Sequence, residues 1–471
     1  MPTPAHSIVS PSDETMHARR LLEFAHDLAQ RPLPPALAAQ AKRCLLDNLG
    51  CGLFGASQPW SRIMREEIAA DAASGECTVF GGERTTAAAA AALANGTAIH
   101  GFELDDLIPA AIVHPGTVIL PAVLATAEAA RASGERMLAA IVAGYEATAR
   151  ISLALGAEPS QRGFHKTSVV GPVAAAIAAG TIMRAGIAQL ESAAGLACSM
   201  ASGIKAFAAG SGGGMVKRMH AGRAAEAGVR AAQLARRGCT GPANALDGHL
   251  GLLEVFSGAH SLPEHLSHAL GEHWYIAEVW VKVYPICGWI QGVAQLLQRL
   301  RGEGPLPPES VRRIVVGTSA FAVKHNANAT PRDEMEAQYS IPYCAALAVT
   351  ADPGDPAAFT LQAIADPSLR GLAQRVQLRV DPECEAAYPG RFGTRIELEL
   401  ANGERRHGFT LDPHGTVADP LAGDELLHKF GRLASFSPLA VDAGAIAECV
   451  QQLERLGDVQ ELTRLLRRRP G

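Results

Sequence analysis

The sequence predicts a mainly α protein: a large all-α helical domain with an inserted smaller α+β lid domain. Three observations predict it. Ala-rich apolar residues recur at three- and four-residue spacing over roughly 14–263. Alternating segments begin only near Trp274, and helical spacing returns after Ala422. At 471 residues the chain exceeds the roughly 250–300 that one core serves. The divisions fall at 1–272 for the first part of the helical domain, 273–412 for the lid, and 413–471 for helices that rejoin the helical domain.

In chain order, a helix over 36–55 starts after Pro34 and Pro35 and carries Leu45, Leu46, Leu49 and Leu53 as its apolar stripe. Segments 86–93, 120–132, 137–151 and 169–179 follow the same spacing. Over 217–236, Ala221, Ala224, Ala225, Gly228 and Ala232 form a small-residue face suited to close helix packing. In the lid, strands are predicted over 279–284, 311–319, 372–381 and 395–400. The last leads through Asn402-Gly403, a strong hairpin signal, to His407 and Thr410. Helices over 292–301 and 340–351 lie among them, and 425–430 and 443–455 close the chain.

A net charge of −5 excludes a general attraction for nucleic acid or an anionic membrane, so an anionic ligand needs a local basic pocket. The terminal arginines Arg464, Arg467, Arg468 and Arg469 read as a solvated end. Nine scattered cysteines without a CxxC pair fit a reducing compartment and no zinc site. The first twenty residues lack an export signal, and apolar runs such as 137–147 are too short to span a bilayer. The expectation is a soluble, cytoplasmic protein without nucleic-acid or membrane partners.

Five stretches could carry chemistry. Glu103, Asp105 and Asp106 precede His114-Pro115-Gly116 in one loop, where they could serve an acid/base site or cap the next helix. His165 and Lys166 sit where an apolar run begins, so His165 lies at a helix start, a position that favours neutral imidazole. A Gly-rich stretch over 210–214 runs into Lys217, Arg218 and His220, and could bind an anion or act as a flexible linker. Lys282 precedes the turn at Pro285, with Cys287 just beyond it, and Tyr343 opens a later helix.

Taken in order, Leu46-Asp47-Asn48-Leu49-Gly50, Asn95-Gly96-Thr97-Ala98-Ile99-His100, His114-Pro115-Gly116, Gly163-Phe164-His165, Lys217-Arg218-Met219-His220-Ala221-Gly222, Lys282-Val283-Tyr284-Pro285 and Tyr339-Ser340-Ile341-Pro342-Tyr343 resemble the MmgE/PrpD family. That family includes 2-methylcitrate dehydratases, cis-aconitate decarboxylases and iminodisuccinate epimerases. The resemblance implies a homodimer with a site between the two domains, no metal or other cofactor, and a small polycarboxylate substrate. It assigns His114, His165, Tyr343, Glu103 and Asp106 to catalysis. It assigns Lys217, Lys282, Lys166, His220 and Cys287 to substrate binding.

Members that decarboxylate aconitate have aspartate at the place of Glu103 and histidine at that of Cys287, and many relatives have histidine where Gln291 stands. Dehydration of a citrate-like or 2-methylcitrate-like acid therefore leads the reading. Decarboxylation of a cis-aconitate-like acid follows, then epimerisation of an iminodisuccinate-like acid, and last a non-catalytic metabolite-binding dimer.

Overall fold

The structure is a computed structural model that describes residues 17–71, 74–209 and 213–467. Gly210, Ser211 and Gly212 of the Gly-rich stretch and Arg468 and Arg469 of the terminal run lie outside them.

The core of the helical part is built from Ala88–Ile99, Gly116–Ala130, Gly134–Leu155, Lys166–Ile182 and Met215–Arg236. Small residues let Met215–Arg236 settle between two neighbours. A Cβ on Gly228 would come within 2.4 Å of the Ala175 Cβ, and one on Gly222 within 2.1 Å of the Leu93 carbonyl oxygen. Such approaches exclude any larger side chain. Gly134–Leu155 is long and apolar enough to cross a membrane, longer than the run read from sequence, and it lies buried at the centre of the bundle.

All the named strands lie between Val311 and Thr410, in one sheet of order β2-β1-β3-β4. They are β1 (Val311–Thr318), β2 (Val376–Val380), β3 (Thr394–Leu400) and β4 (Arg405–Thr410). β1 and β2 are parallel, with Ile314 opposite Val376, and the other pairings are antiparallel. The β3–β4 turn uses Gly403 at φ +89°, as the Asn-Gly signal predicts. Helices Gln291–Arg301 and Ile341–Thr350 cover the sheet, and helix Gly423–Ala434 returns to pack on Pro35–Gly55, where Phe430 meets Gly50.

One predicted strand fails and another is shortened. Segment 279–284 forms only an isolated bridge between Trp280 and Leu107, because its backbone is shared with distant loops: Val281 N–H donates to Gly415 and Trp280 N–H to Leu107. Segment 372–381 is split. Asp366 caps a helix with proline in its first turn, Pro367–Ala373, and β2 begins only at Val376.

Candidate active site

The loop after helix Ala88–Ile99 carries the carboxylates. Glu103 takes a left-handed φ of +58°, which a non-glycine residue keeps only when its surroundings enforce it. Part of that enforcement comes from the far end of the chain. Lys429 donates to the Leu104 carbonyl at 3.0 Å and to Asp47 at 2.6 Å.

The Glu103 carboxylate thereby enters a nest of cations. Lys217 and Arg218, from the first turns of Met215–Arg236, both reach it, Arg218 at 2.9 Å, and Lys282 reaches it at 3.2 Å. None of the four is more than 2% exposed. Burial pushes the Glu103 carboxyl up, but Lys217, Lys282 and Arg218 overcome it and hold the group well below the usual carboxylate range. Tyr339 completes the cluster: Lys217 donates to its hydroxyl at 2.8 Å, and that hydroxyl faces Glu103 at 3.4 Å. Arg218 is braced by Gln338 at 2.8 Å.

Beside this nest is a His–Asp–His chain. Asp105 Oδ2 lies 3.3 Å from His100 Nδ1 and 2.7 Å from His114 Nδ1. His114 Nδ1 also faces the Asp106 carbonyl at 3.0 Å. Both neighbours are acceptors, so this nitrogen carries the proton, and in the neutral ring Nε2 keeps its lone pair. His100 is fully buried, and burial lowers its pKa to about 3 against the pull of Asp105.

His165 stands where the sequence places it, as the N-cap residue of helix Lys166–Ile182. Its Nδ1 lies 3.1 Å from His220 Nδ1, so one ring donates and the other accepts. Burial first, then His100, Lys217 and His220, hold His165 well below the usual histidine range. It is a neutral imidazole at physiological pH.

A cavity of about 340 Å³ joins these groups, with His114, His165, Lys166, Lys205, Lys217 and Tyr339 in its lining. Its walls come from the helical part, from Trp289 and from segment 321–339. Lys166 is pushed down to about 7 by burial, and among the described residues it has no ion-pair partner.

Of the residues singled out from sequence, His114, His165, Lys166 and Lys217 line the cavity. Glu103, Lys282 and His220 stand behind them, each bonded to a lining residue or to its partner. Cys287 lies close enough to Lys282 and Glu103 for their charges to be felt. Burial, reinforced by Glu103, pushes its thiol up to about 11.

Two assignments need correction. Asp106 faces away from the cavity. It accepts from Tyr145 at 2.6 Å, Gly116 N–H at 2.9 Å and Asn48 at 3.1 Å, so it anchors the start of helix Gly116–Ala130. Tyr343 is buried with its hydroxyl donating to the Ala358 carbonyl, and it does not line the cavity. Tyr339 takes the tyrosine position and Asp105 the histidine-orienting one. His100 is also missed, although a second histidine shortly before His114 was a visible signal.

His100, Asp105 and His114 each bring a ligand atom within 4.8 Å of the others, so their donor types could hold a metal ion. The fit is poor, because the nitrogens that meet Asp105 carry protons and Lys217 and Lys282 act on this cluster with opposing positive charge. The set suits proton transfer better.

A mainly helical body and a smaller sheet-bearing part meet at a cavity lined by histidines and lysines. The chain belongs to the MmgE/PrpD family: the MmgE/PrpD N-terminal domain matches residues 19–265 and the MmgE/PrpD C-terminal domain residues 284–455. It is 30% identical to the cis-aconitate decarboxylase-like protein oryM of Aspergillus oryzae, covering 95% of this chain and 96% of that protein. It is 27% identical to the cis-aconitate decarboxylase of Aspergillus terreus, covering 95% of each. With the cis-aconitate decarboxylase of Homo sapiens it shares 28% identity, over 94% of this chain and 92% of that one.

Proposed function

We propose that the protein is a lyase acting on a small polycarboxylate, and that decarboxylation of a cis-aconitate-like acid describes it better than the dehydration that leads the sequence reading. The names of its full-length relatives support that order. The observation that carries the acid/base reading is the 2.7 Å contact between Asp105 and His114 at the cavity that Lys217 also lines.

In such a decarboxylation the bond between a methylene carbon and its carboxylate breaks and carbon dioxide leaves. The freed electron pair forms a new double bond to the neighbouring carbon, and the former double bond takes up one proton at its far carbon. His114, in its protonated form and held by Asp105 at 2.7 Å, is the donor of that proton. Lys217 and Lys166 balance the carboxylates and the charge that develops as the carbon–carbon bond breaks. His165, kept neutral, lines the cavity and moves no proton in this step. On a hydroxy acid the same pair would dehydrate, with His165 as base and His114 protonating the departing hydroxide. Cys287, with its thiol at about 11, exchanges no proton at neutral pH and serves as a neutral neighbour of Lys282.

The test is incubation with cis-aconitate, citrate, 2-methylcitrate and iminodisuccinate in deuterated water, followed by NMR. The reading expects carbon dioxide release with one deuteron placed on carbon, and a loss of about 10²–10⁴-fold in kcat for His114→Gln. Alkene signals from the hydroxy acids would shift it to dehydration. Deuterium uptake with mixed stereochemistry would shift it to epimerisation. Silence throughout, identical for Lys217→Ala, would leave a metabolite-binding protein.

A further inference from the structure

The cavity has more apolar wall than a small, multiply charged acid can use. Ile112, Phe164, Phe207, Trp289, Phe321 and Met335 line it together with the lysines and histidines. Its volume of about 340 Å³ lies in the range, roughly 300–1,000 Å³, that holds ligands larger than a simple aconitate.

The rings are fixed in place. Trp289 packs on Phe321 at 5.0 Å and on Phe392 at 5.3 Å, and Phe321 stacks on Tyr388 at 5.7 Å. Phe207 meets His165 and His220 edge-on, both at 5.6 Å between ring centres. A carboxylate gains nothing from such rings and loses hydration beside them. An alkyl or aryl group gains from every ring it covers.

The charges serve the polar end of such a ligand. Lys217 lines the cavity while also engaging Glu103, and Lys166 and Lys205 line it without an ion-pair partner among the described residues. The lysines provide for carboxylates, and the rings provide for an apolar surface beside them.

We propose that the aromatic wall formed by Phe207, Trp289 and Phe321 receives an apolar substituent, so that the preferred substrate is an alkyl- or aryl-substituted polycarboxylate instead of aconitate itself. The inference rests on the reading of the cavity as a polycarboxylate site and names the substrate class for it.

The experiment uses the full-length protein and cis-aconitates carrying hydrogen, methyl, butyl or hexyl at one carbon, with turnover followed by NMR and binding by calorimetry. Affinity and kcat/KM are expected to rise with chain length, by about tenfold or more from methyl to butyl. Phe321→Ala should flatten that rise. Trp289→Leu, which keeps an apolar side chain of smaller size, supplies a second reading should the first variant fail to fold. Unsubstituted cis-aconitate turned over best, with activity falling along the series, would overturn this inference and leave the lyase reading standing. Tighter binding along the series without turnover would uphold the apolar pocket and overturn the lyase reading. Equal binding of every member would overturn the inference whether or not turnover is seen.

Discussion

Two buried ionic clusters in this molecule have similar parts and different ends. In the helical core, Arg150 and Glu146 are both fully buried and their bonds are closed. Arg150 donates to Glu146 at 3.2 Å and to the carbonyls of His268 at 2.6 Å and His273 at 3.0 Å, while Glu146 accepts the Ile276 N–H at 3.0 Å. At the cavity, three cations converge on Glu103, and the histidines beside them present ring nitrogens without protein partners among the described residues. The closed cluster ties segment 268–276 to the central helix. The open cluster keeps charge and proton-transfer capacity in reserve for a ligand. Burial of charge alone therefore does not distinguish scaffold from site; what distinguishes them is whether a cavity remains where the partners run out.

Breaking each cluster should separate the two roles. The largest effect is expected from Arg150→Met, which strands the Glu146 carboxylate and should cost about 3–5 kcal/mol of unfolding free energy in denaturant titration, with activity per folded molecule unchanged. Lys217→Met should do the reverse. Arg218 and Lys282 still hold Glu103, so the fold survives, while kcat/KM falls by about 10²–10³-fold. A variant of Lys217 that unfolds the chain without first losing activity would erase the distinction.

A smaller effect sharpens it through pH. Lys166 is an ammonium below its pKa of about 7 and neutral above it, so its attraction for a carboxylate is present at lower pH and lost as pH rises through that value. KM should rise across this interval by about tenfold, consistent with the loss of one charge-assisted hydrogen bond. Lys166→Met should remove that part of the pH profile.

The smallest effect distinguishes two neighbouring tyrosines. Tyr339→Phe should lower kcat/KM several-fold, whereas Tyr343→Phe should leave activity intact and cost about 0.5–1.5 kcal/mol of stability through its lost bond to Ala358. The opposite pattern would return Tyr343 to the site.

Tyr339 reaches the cation cluster and Tyr343 does not. Tyr339 precedes the N-cap Ser340 and Tyr343 lies in the first turn of helix Ile341–Thr350. Four residues apart, across a change from loop to helix, they point to different places, and no local pattern records which one meets Lys217. Asp105 and Asp106 pose the same difficulty at a spacing of one. Both sit in an irregular loop after the left-handed Glu103, and only the positions of His114, Tyr145 and Asn48 decide which carboxylate orients a histidine and which anchors a helix. Segment 279–284 fails similarly, because an alternating pattern forms a strand only where a partner strand lies alongside it.

What the sequence by itself determined were the features with short-range causes. Apolar spacing and small-residue faces produce the helices and their close crossings, Asn402-Gly403 produces the hairpin, and an apolar run opening at Lys166 puts His165 at a helix start. Motifs in a fixed order also carried the family and half of the histidines, lysines and acidic residues that line the cavity, His114, His165, Lys166 and Lys217. Only the tertiary structure decided which of the adjacent carboxylates and tyrosines face the cavity, that His100 joins them, and that aromatic rings from both parts wall it. Those outcomes depend on contacts that no local pattern records, from Tyr145 and Asn48 on Asp106 to Lys217 and Lys282 on Glu103, more than a hundred positions away, and these contacts set the direction of a side chain in a loop.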